Sequence, residues 1–299
     1  MTVFQGVFPA LITPFHRDGT LNEQAFRDVM ESCIQAGVNG FWINGGTGES
    51  VLLSDEENIR VTEISSDQSR GRIQNIIHVG APTTARAVNM AKAAREANVE
   101  AISCVPPFFY RPKDEAIIDH YKAIADVAGL PLFIYNQPKY TGVEITPPLM
   151  AELIKEIPLV AGVKHSAPDF HNIRKFSQLG IDVLTGSGTL FLSALIGGAS
   201  GVVDGPLTIA PEIWVEAYTS FKEGNVTKST EMQEKGAKLV DLAGKYGMQA
   251  TCKVLVQARL GIETGTPRPP LSSLNSKETN DLINEAVVIG ILTKEQASG

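Results

Sequence analysis

Lys164 ends the run Pro158-Leu-Val-Ala-Gly-Val163, an apolar stretch without polar alternation. Such a run reads as a strand of a parallel sheet covered on both faces. A lysine at its end is either carried out to water by its stem or held in a cleft where its charge and nucleophilicity are used. In a partly apolar cleft the ammonium form is disfavoured, so the pKa falls and free amine becomes available to attack a carbonyl. With a 2-keto acid the product is an imine. Once protonated, that imine is an electron sink that makes a carbanion at C3 accessible, so the C3–C4 bond can break or form. The same chemistry needs a proton shuttle, which Tyr135 in Tyr135-Asn-Gln-Pro138 can provide. It also needs a holder for the substrate carboxylate. In the turn Gly45-Gly-Thr-Gly-Glu49, the Thr47 hydroxyl and the backbone N–H groups of Gly46 to Gly48 supply donors without a second fixed charge. Glu49, which leads into the next helix, reads as a cap or an orienting group for this turn.

Taken singly, each of these residues has a plainer reading. A strand-end lysine is usually solvated, a tyrosine usually packs, and a glycine-rich turn is usually only a turn. What joins them is the order of elements. Short β-rich runs recur as GVFPALIT, GFWIN, IIHVG, EAISCVP, PLFIYN, PLVAGVK, IDVLTG and GVVDG. Between them lie helical patterns over residues 22–36, 54–69, 84–97, 114–128, 147–157, 170–179, 190–196 and 211–223. Eight strands each followed by a helix specify an α/β fold of the (β/α)8 TIM-barrel type more strongly than an open doubly wound sheet. After Lys222 the strand signals stop, and helical spacing returns over 232–246, 250–260 and 278–291, separated by the Pro-rich segment Gly265 to Ser273. The expected organisation is a catalytic barrel over residues 1–222 with a C-terminal helical extension over 223–299, the Pro-rich segment packing against the barrel. In a barrel of this type the C-terminal strand ends face one mouth. The second, fourth, fifth, sixth and seventh strand ends carry Gly45–Glu49, Pro106–Tyr110, Tyr135–Pro138, Lys164–Ser166 and Gly186–Thr189.

Composition bounds the alternatives. With 43% hydrophobic and 20% charged residues in 299, the chain can bury a large core. A net charge of -7 without any Lys/Arg-rich block excludes non-specific nucleic-acid binding. No basic segment precedes the short apolar run at Val7 to Ile12 and no run of about 18 apolar residues occurs, so a cytoplasmic address without membrane association is expected. Cys33, Cys104 and Cys252 are odd in number and lack paired spacing, which reads as buried thiols. His16, His78, His120 and His171 show no metal-ligand spacing and read as structural. His165 adjoins Lys164 but should face the opposite side of the strand. No metal or cofactor is expected, and Asn225-Val-Thr227 is read as a chance match to a glycosylation pattern.

At these residues the chain resembles the dihydrodipicolinate synthase and N-acetylneuraminate lyase family of class I aldolases. The likeness is carried by Thr13-Pro-Phe15, the G-x-x-G-E turn at Gly45 to Glu49, the Y-N-x-P at Tyr135 to Pro138 and the strand-end Lys164. It implies a barrel with a C-terminal helical domain, assembled as a homotetramer or homodimer. It further implies Lys164 as the Schiff-base lysine for pyruvate or another 2-keto acid, Tyr135 as proton shuttle, Thr47 as carboxylate ligand and Val203 as a pocket wall.

Departures from the family pattern narrow the substrate. The hydroxyl residue and tyrosine that form the synthase's proton relay fall at Gly46 and Phe109, beside Tyr110, and its carboxylate-binding arginine falls at Tyr140, next to Lys139. The acidic pair that holds the sialic acid tail in the lyases falls at Gly188 and Thr189, with Gly205 where a serine is expected. Ser166 resembles the Ser or Thr of the sugar-acid aldolases and could meet a C4 hydroxyl. The expected activity is cleavage of a 2-keto-3-deoxy acid to pyruvate and an aldehyde. A 5-dehydro-4-deoxyglucarate dehydratase-like elimination, the synthase or lyase reaction itself, and an inert barrel serving as scaffold or sensor stand as alternatives.

Overall fold

The structure, a computed structural model, describes residues 4–297. Eight strands run in chain order: β1 (Gly6–Val7), β2 (Gly40–Ile43), β3 (Gln74–His78), β4 (Ala101–Cys104), β5 (Leu132–Asn136), β6 (Val160–His165), β7 (Asp182–Thr185) and β8 (Gly201–Val202). All pair parallel in the order β1-β8-β7-β6-β5-β4-β3-β2. A bridge between Ala10 and Trp42 returns the chain after β1 to β2, with Trp42 N–H donating to the Pro9 carbonyl at 3.0 Å and Leu11 N–H to the Trp42 carbonyl at 3.1 Å. The sheet is thereby closed into the expected barrel.

Helices α1 (Glu23–Gln35), α2 (Asp55–Ser69), α3 (Thr84–Glu96), α4 (Asp114–Ala128), the short α5 (Pro138–Thr141), α6 (Pro147–Glu156), α7 (Asn172–Ser177), α8 (Phe191–Ile196) and α9 (Pro211–Lys222) alternate with the strands. Their starts follow local chemistry. Asn22 and Thr83 accept N-cap bonds, and Ser54 with Glu57 forms a reciprocal capping box. The sequence gives no sign of α5, a single turn begun by Pro138. The tail holds α10 (Val226–Tyr246), α11 (Met248–Leu260) and α12 (Ser276–Val288). Helix α10 starts six residues before the predicted Met232 because the Asn225 side chain accepts from Lys228 N–H and caps it, a use for the asparagine of the apparent glycosylation pattern.

Strand alternation sorts the apolar residues into two cores. Phe4, Phe8, Trp42, Phe133, Leu184 and Val203 fill the barrel interior, while a larger cluster lies between strands and helices. Gly162 belongs to this sorting: a Cβ there would collide with the Phe133 ring, so glycine gives the phenylalanine its place inside the barrel.

The tail is tied to the barrel beneath the β2 turn. Lys253 of α11 is fully buried, its Nζ 3.0 Å from the Glu49 carboxylate, 3.1 Å from the Thr266 carbonyl and over the Phe15 ring. Glu49 also accepts the Arg268 backbone N–H at 2.7 Å, and the Arg268 guanidinium pairs with Glu57 and caps the Phe15 ring. The Pro-rich segment therefore packs on the barrel as expected. Glu49 makes no side-chain cap, so of its two expected roles the orienting one remains: its carboxylate turns inward and ties the turn to the tail. Burial lowers the Lys253 pKa to about 8 against the pull of Glu49. Lys253→Met, which strands Glu49, should cost about 3–5 kcal/mol in denaturant unfolding; a loss under about 1 kcal/mol would show that the pair is not what joins tail to barrel.

Candidate active site

The register of β5 and β6 sets Tyr135 directly beside Lys164. Both follow inward-facing positions, Phe133 and Gly162, so both side chains enter the barrel near its C-terminal end. Lys164 is 5% exposed, with Nζ 4.4 Å from the centre of the Tyr135 ring and 4.8 Å from that of Trp42. The two rings meet edge to face at 5.4 Å, and His78 packs edge to face on Tyr135 at 5.8 Å. The ammonium thus has aromatic faces in place of water. Desolvation brings its pKa down to about 7, opposed by the negative charge of Asp204.

Tyr135 is buried too, and desolvation pushes its phenol up to about 12, while hydrogen bonding from the Gln137 and Ser166 side chains pulls it down. At neutral pH the group is a proton donor. His78 stays neutral: burial takes it down to about 4, its Nδ1 faces the Asn44 carbonyl at 2.9 Å and its Nε2 accepts the Val105 N–H at 3.3 Å. Those two bonds fix the tautomer with the proton on Nδ1. His78 is structural, as read from the sequence, but what it supports is the tyrosine ring.

The β2 turn forms another wall. Thr13 donates to the Gly48 carbonyl at 2.7 Å, Gln249 of α11 to the Gly46 carbonyl at 3.1 Å, and Thr47 is buried beside Gly205. Glycine at 205 lets Thr47 and Met248 close in, since a Cβ there would stand 2.9 Å from Thr47 Oγ1 and 2.8 Å from Met248 Sδ, so that either side chain would have to shift. Trp42 Nε1, buried next to Gly45, has no protein acceptor among the described residues. Val203 lies in the same interior cluster as Trp42 and Tyr135, and Ser166 Oγ packs over Gly186. A cavity of about 340 Å³ opens here, lined by Gly46, His78, Phe108, Tyr135, Gln137 and Tyr140 among others.

Lys164, Ser166 and Val203 are thus brought together around Tyr135 inside the barrel, Tyr135 and Gly46 line the cavity, and Thr47 and Gly48 belong to the adjoining β2 turn. The other three candidates are not gathered so tightly. Tyr140 lines the cavity from its rim but is 73% exposed, with the Lys139 ammonium over its ring. Phe109 and Tyr110 meet edge to face at 4.9 Å and are 87% and 78% exposed; Phe108 is the member of that loop that lines the cavity. Phe109 sits at a left-handed φ of 77°, which turns its ring outward. The sequence reading missed Trp42, Gln137 and the supporting role of His78.

The remaining groups hold no competing chemistry. The three cysteines are buried and free, and burial raises their thiol pKa values, so they are poor nucleophiles. His165 faces outward to the Asp169 carbonyl and Asn136. Among the described residues no cluster of three or more His, Cys, Asp or Glu could hold a metal, and no helix is long and apolar enough to cross a membrane.

The sequence pattern of the dihydrodipicolinate synthetase family matches residues 3–287. The chain is similar to the 4-hydroxy-tetrahydrodipicolinate synthase of Methanothrix thermoacetophila, 32% identical over 296 residues that cover 98% of this chain and 97% of that one. It is also similar to the N-acetylneuraminate lyase of Salmonella agona, 31% identical over 276 residues, 91% and 93% of the two chains. The sialic acid aldolase of Ruminococcus gnavus, solved as a catalytic lysine mutant, superposes with a TM-score of 0.92 at 25% identity, covering 96% of this chain and 95% of that one.

The aromatic cage gives a pH signature. Lys164 is ammonium below about pH 7 and free amine above it. In NMR titration of ¹³Cε-labelled lysine, one resonance, absent in Lys164→Ala, should titrate near 7 while exposed lysines titrate near 10. A Lys164 resonance moving only near 10 would show that the cage does not desolvate the amine.

Proposed function

The chain belongs to the dihydrodipicolinate synthetase family, and on that premise we propose that it is a class I aldolase that cleaves a 2-keto-3-deoxy acid to pyruvate and an aldehyde through a Schiff base on Lys164. The observation that carries this reading is the pairing in register of a desolvated lysine and a buried tyrosine inside the barrel.

In the proposed reaction the free Lys164 amine adds to C2 of the keto acid, and the carbinolamine loses water with a proton supplied by Tyr135. The positive charge of the protonated imine lowers the pKa of the neighbouring phenol, so the phenolate left by that transfer persists as a base. It takes the proton from the C4 hydroxyl, the C3–C4 bond breaks, the aldehyde leaves, and the electron pair is held as an enamine. Reprotonation at C3 and hydrolysis of the imine release pyruvate and restore the amine. Thr47, the N–H groups of Gly46 to Gly48 and the unpaired Trp42 indole N–H are the donors suited to the substrate carboxylate. Ser166 and Gln137, both within hydrogen-bonding reach of the phenol, take the place of the absent relay.

A lyase and an aldolase among the relatives support carbon–carbon cleavage over dehydration. The relatives also include synthases, but here the position of the synthase's arginine is an exposed Tyr140 and that of its relay tyrosine is a solvent-facing Phe109. Those features support a shorter hydroxylated keto acid whose C4 hydroxyl meets Ser166 or Tyr135. The exposed Val51, Phe109, Tyr110 and Tyr140 support self-association as a dimer or tetramer.

Tyr135→Phe keeps the ring in the cage and removes the shuttled proton, so turnover should fall about 10²- to 10⁴-fold; near-normal turnover would assign the proton to another group. On a panel of short 2-keto-3-deoxy acids, sialic acid, and pyruvate with aspartate semialdehyde, kcat/KM should be highest for the first class. A lead of about tenfold or more for either of the others would overturn the substrate assignment.

A further inference from the structure

The cavity beside Tyr135 has an outer wall that the reaction above leaves unused. The barrel floor is filled by Phe133, Trp42 and Leu184, and Lys164 Nζ lies 4.4 Å from the centre of the Tyr135 ring, which lines the cavity of about 340 Å³. A keto acid bonded to that amine with its C4 hydroxyl at Tyr135 therefore sends whatever else C4 carries into this space. Beyond Tyr135 the wall is made by Leu52 from the segment after the β2 turn, Val105 and Phe108 from the loop after β4, and Pro270 and Leu271 from the Pro-rich segment. Phe108 is half-buried and packs against the interior cluster that holds Tyr135 and Val105, so apolar surface runs from the tyrosine outward.

The polar groups along this wall are already engaged. Both ring nitrogens of His78 bond to backbone, and Gln249 Nε2 donates to the Gly46 carbonyl. Thr141 Oγ1 lies 3.1 Å from the Gln137 carbonyl and 2.9 Å from the Val143 carbonyl, and accepts the Val143 N–H at 3.2 Å. Glu49, the charged residue of the lining, turns its carboxylate to Lys253 and the Arg268 N–H. The Gln137 side chain bonds to the Tyr135 phenol, and Tyr140 stands at the exposed rim. Ser50 Oγ, buried and without a partner among the described residues, is a single hydroxyl left over. A sugar chain entering here turns several hydroxyls toward leucine, valine and phenylalanine side chains, and each buried hydroxyl without a partner is costly. A hydrocarbon group gains by leaving water, and an aryl ring can also meet Phe108 edge to face.

We propose that the aldehyde released by this site is apolar, of the aryl or alkyl class, because the wall of Leu52, Val105, Phe108, Pro270 and Leu271 accepts a hydrocarbon group on C4 and offers a sugar chain no set of partners. This inference rests on the Schiff-base aldolase reading, and its test separates the two. The wild-type protein is given three short 2-keto-3-deoxy acids that carry, beside the C4 hydroxyl, a phenyl group, a methyl group or a dihydroxyethyl chain, and aldehyde release is measured. The phenyl compound should be cleaved with a kcat/KM at least about tenfold above that of the dihydroxyethyl compound. Phe108→Ala, which opens the wall, should lower the phenyl value about tenfold and leave the methyl value within about threefold. A smaller phenyl lead in the wild-type protein would overturn the inference even if Phe108→Ala failed to fold. An unchanged ratio of phenyl to methyl in a Phe108→Ala protein that still forms the pyruvate adduct would overturn the role of the wall. Borohydride trapping of pyruvate on the wild-type protein is the control. With trapping present and the phenyl compound not favoured, only the apolar-aldehyde inference falls; with trapping absent, the aldolase reading falls and the inference with it.

Discussion

Everything proposed for this protein depends on keeping water away from one lysine. An ammonium inside a barrel is costly unless it is paired, and Lys164 has aromatic faces around it instead of a carboxylate in contact. The barrel imposes that situation. Parallel pairing in register carries Phe133 and Gly162, then Tyr135 and Lys164, to the same inner face, and Gly162 yields the space that Phe133 fills below. With the floor occupied by Phe133, Trp42 and Leu184, the lysine is left at the level of the mouth. A shift of β6 by one residue would turn His165 inward and Lys164 out among the helices, with loss of both the cage and the chemistry.

The walls of that mouth come from distant parts of the chain, and a buried tie holds them. Glu49 and Lys253 join the β2 turn to α11, with Arg268 closing the same cluster from the Pro-rich segment. The tail therefore has a positioning role in the proposed site as well as a share of the packing. Precision at the carboxylate-binding turn is supplied by a helix whose own sequence carries no catalytic signal.

The barrel could be read from the sequence because buried parallel strands leave continuous apolar runs and helices leave periodic ones, and the two alternate without interruption. Lys164 and Tyr135 could be read because a polar residue at the C-terminal end of such a run has one mouth to face. Trp42 could not, since it looks like one more apolar strand residue until the register shows which face it takes. Phe108 and Phe109 differ by one position on an irregular loop, where no period says which ring points inward. Lys253 lies in a tail helix where nothing in the spacing points to a partner; only the folded chain brings it to Glu49.

The central claim is that Lys164 forms a covalent imine with a 2-keto acid, and reductive trapping tests it most directly. The protein is incubated with pyruvate and borohydride, digested, and its peptides are mapped by mass spectrometry. The account predicts one stable adduct, on the peptide containing Lys164, absent from Lys164→Arg because a guanidinium remains protonated and cannot attack the carbonyl. An adduct on a different lysine, or turnover by the same route in Lys164→Arg, would contradict it.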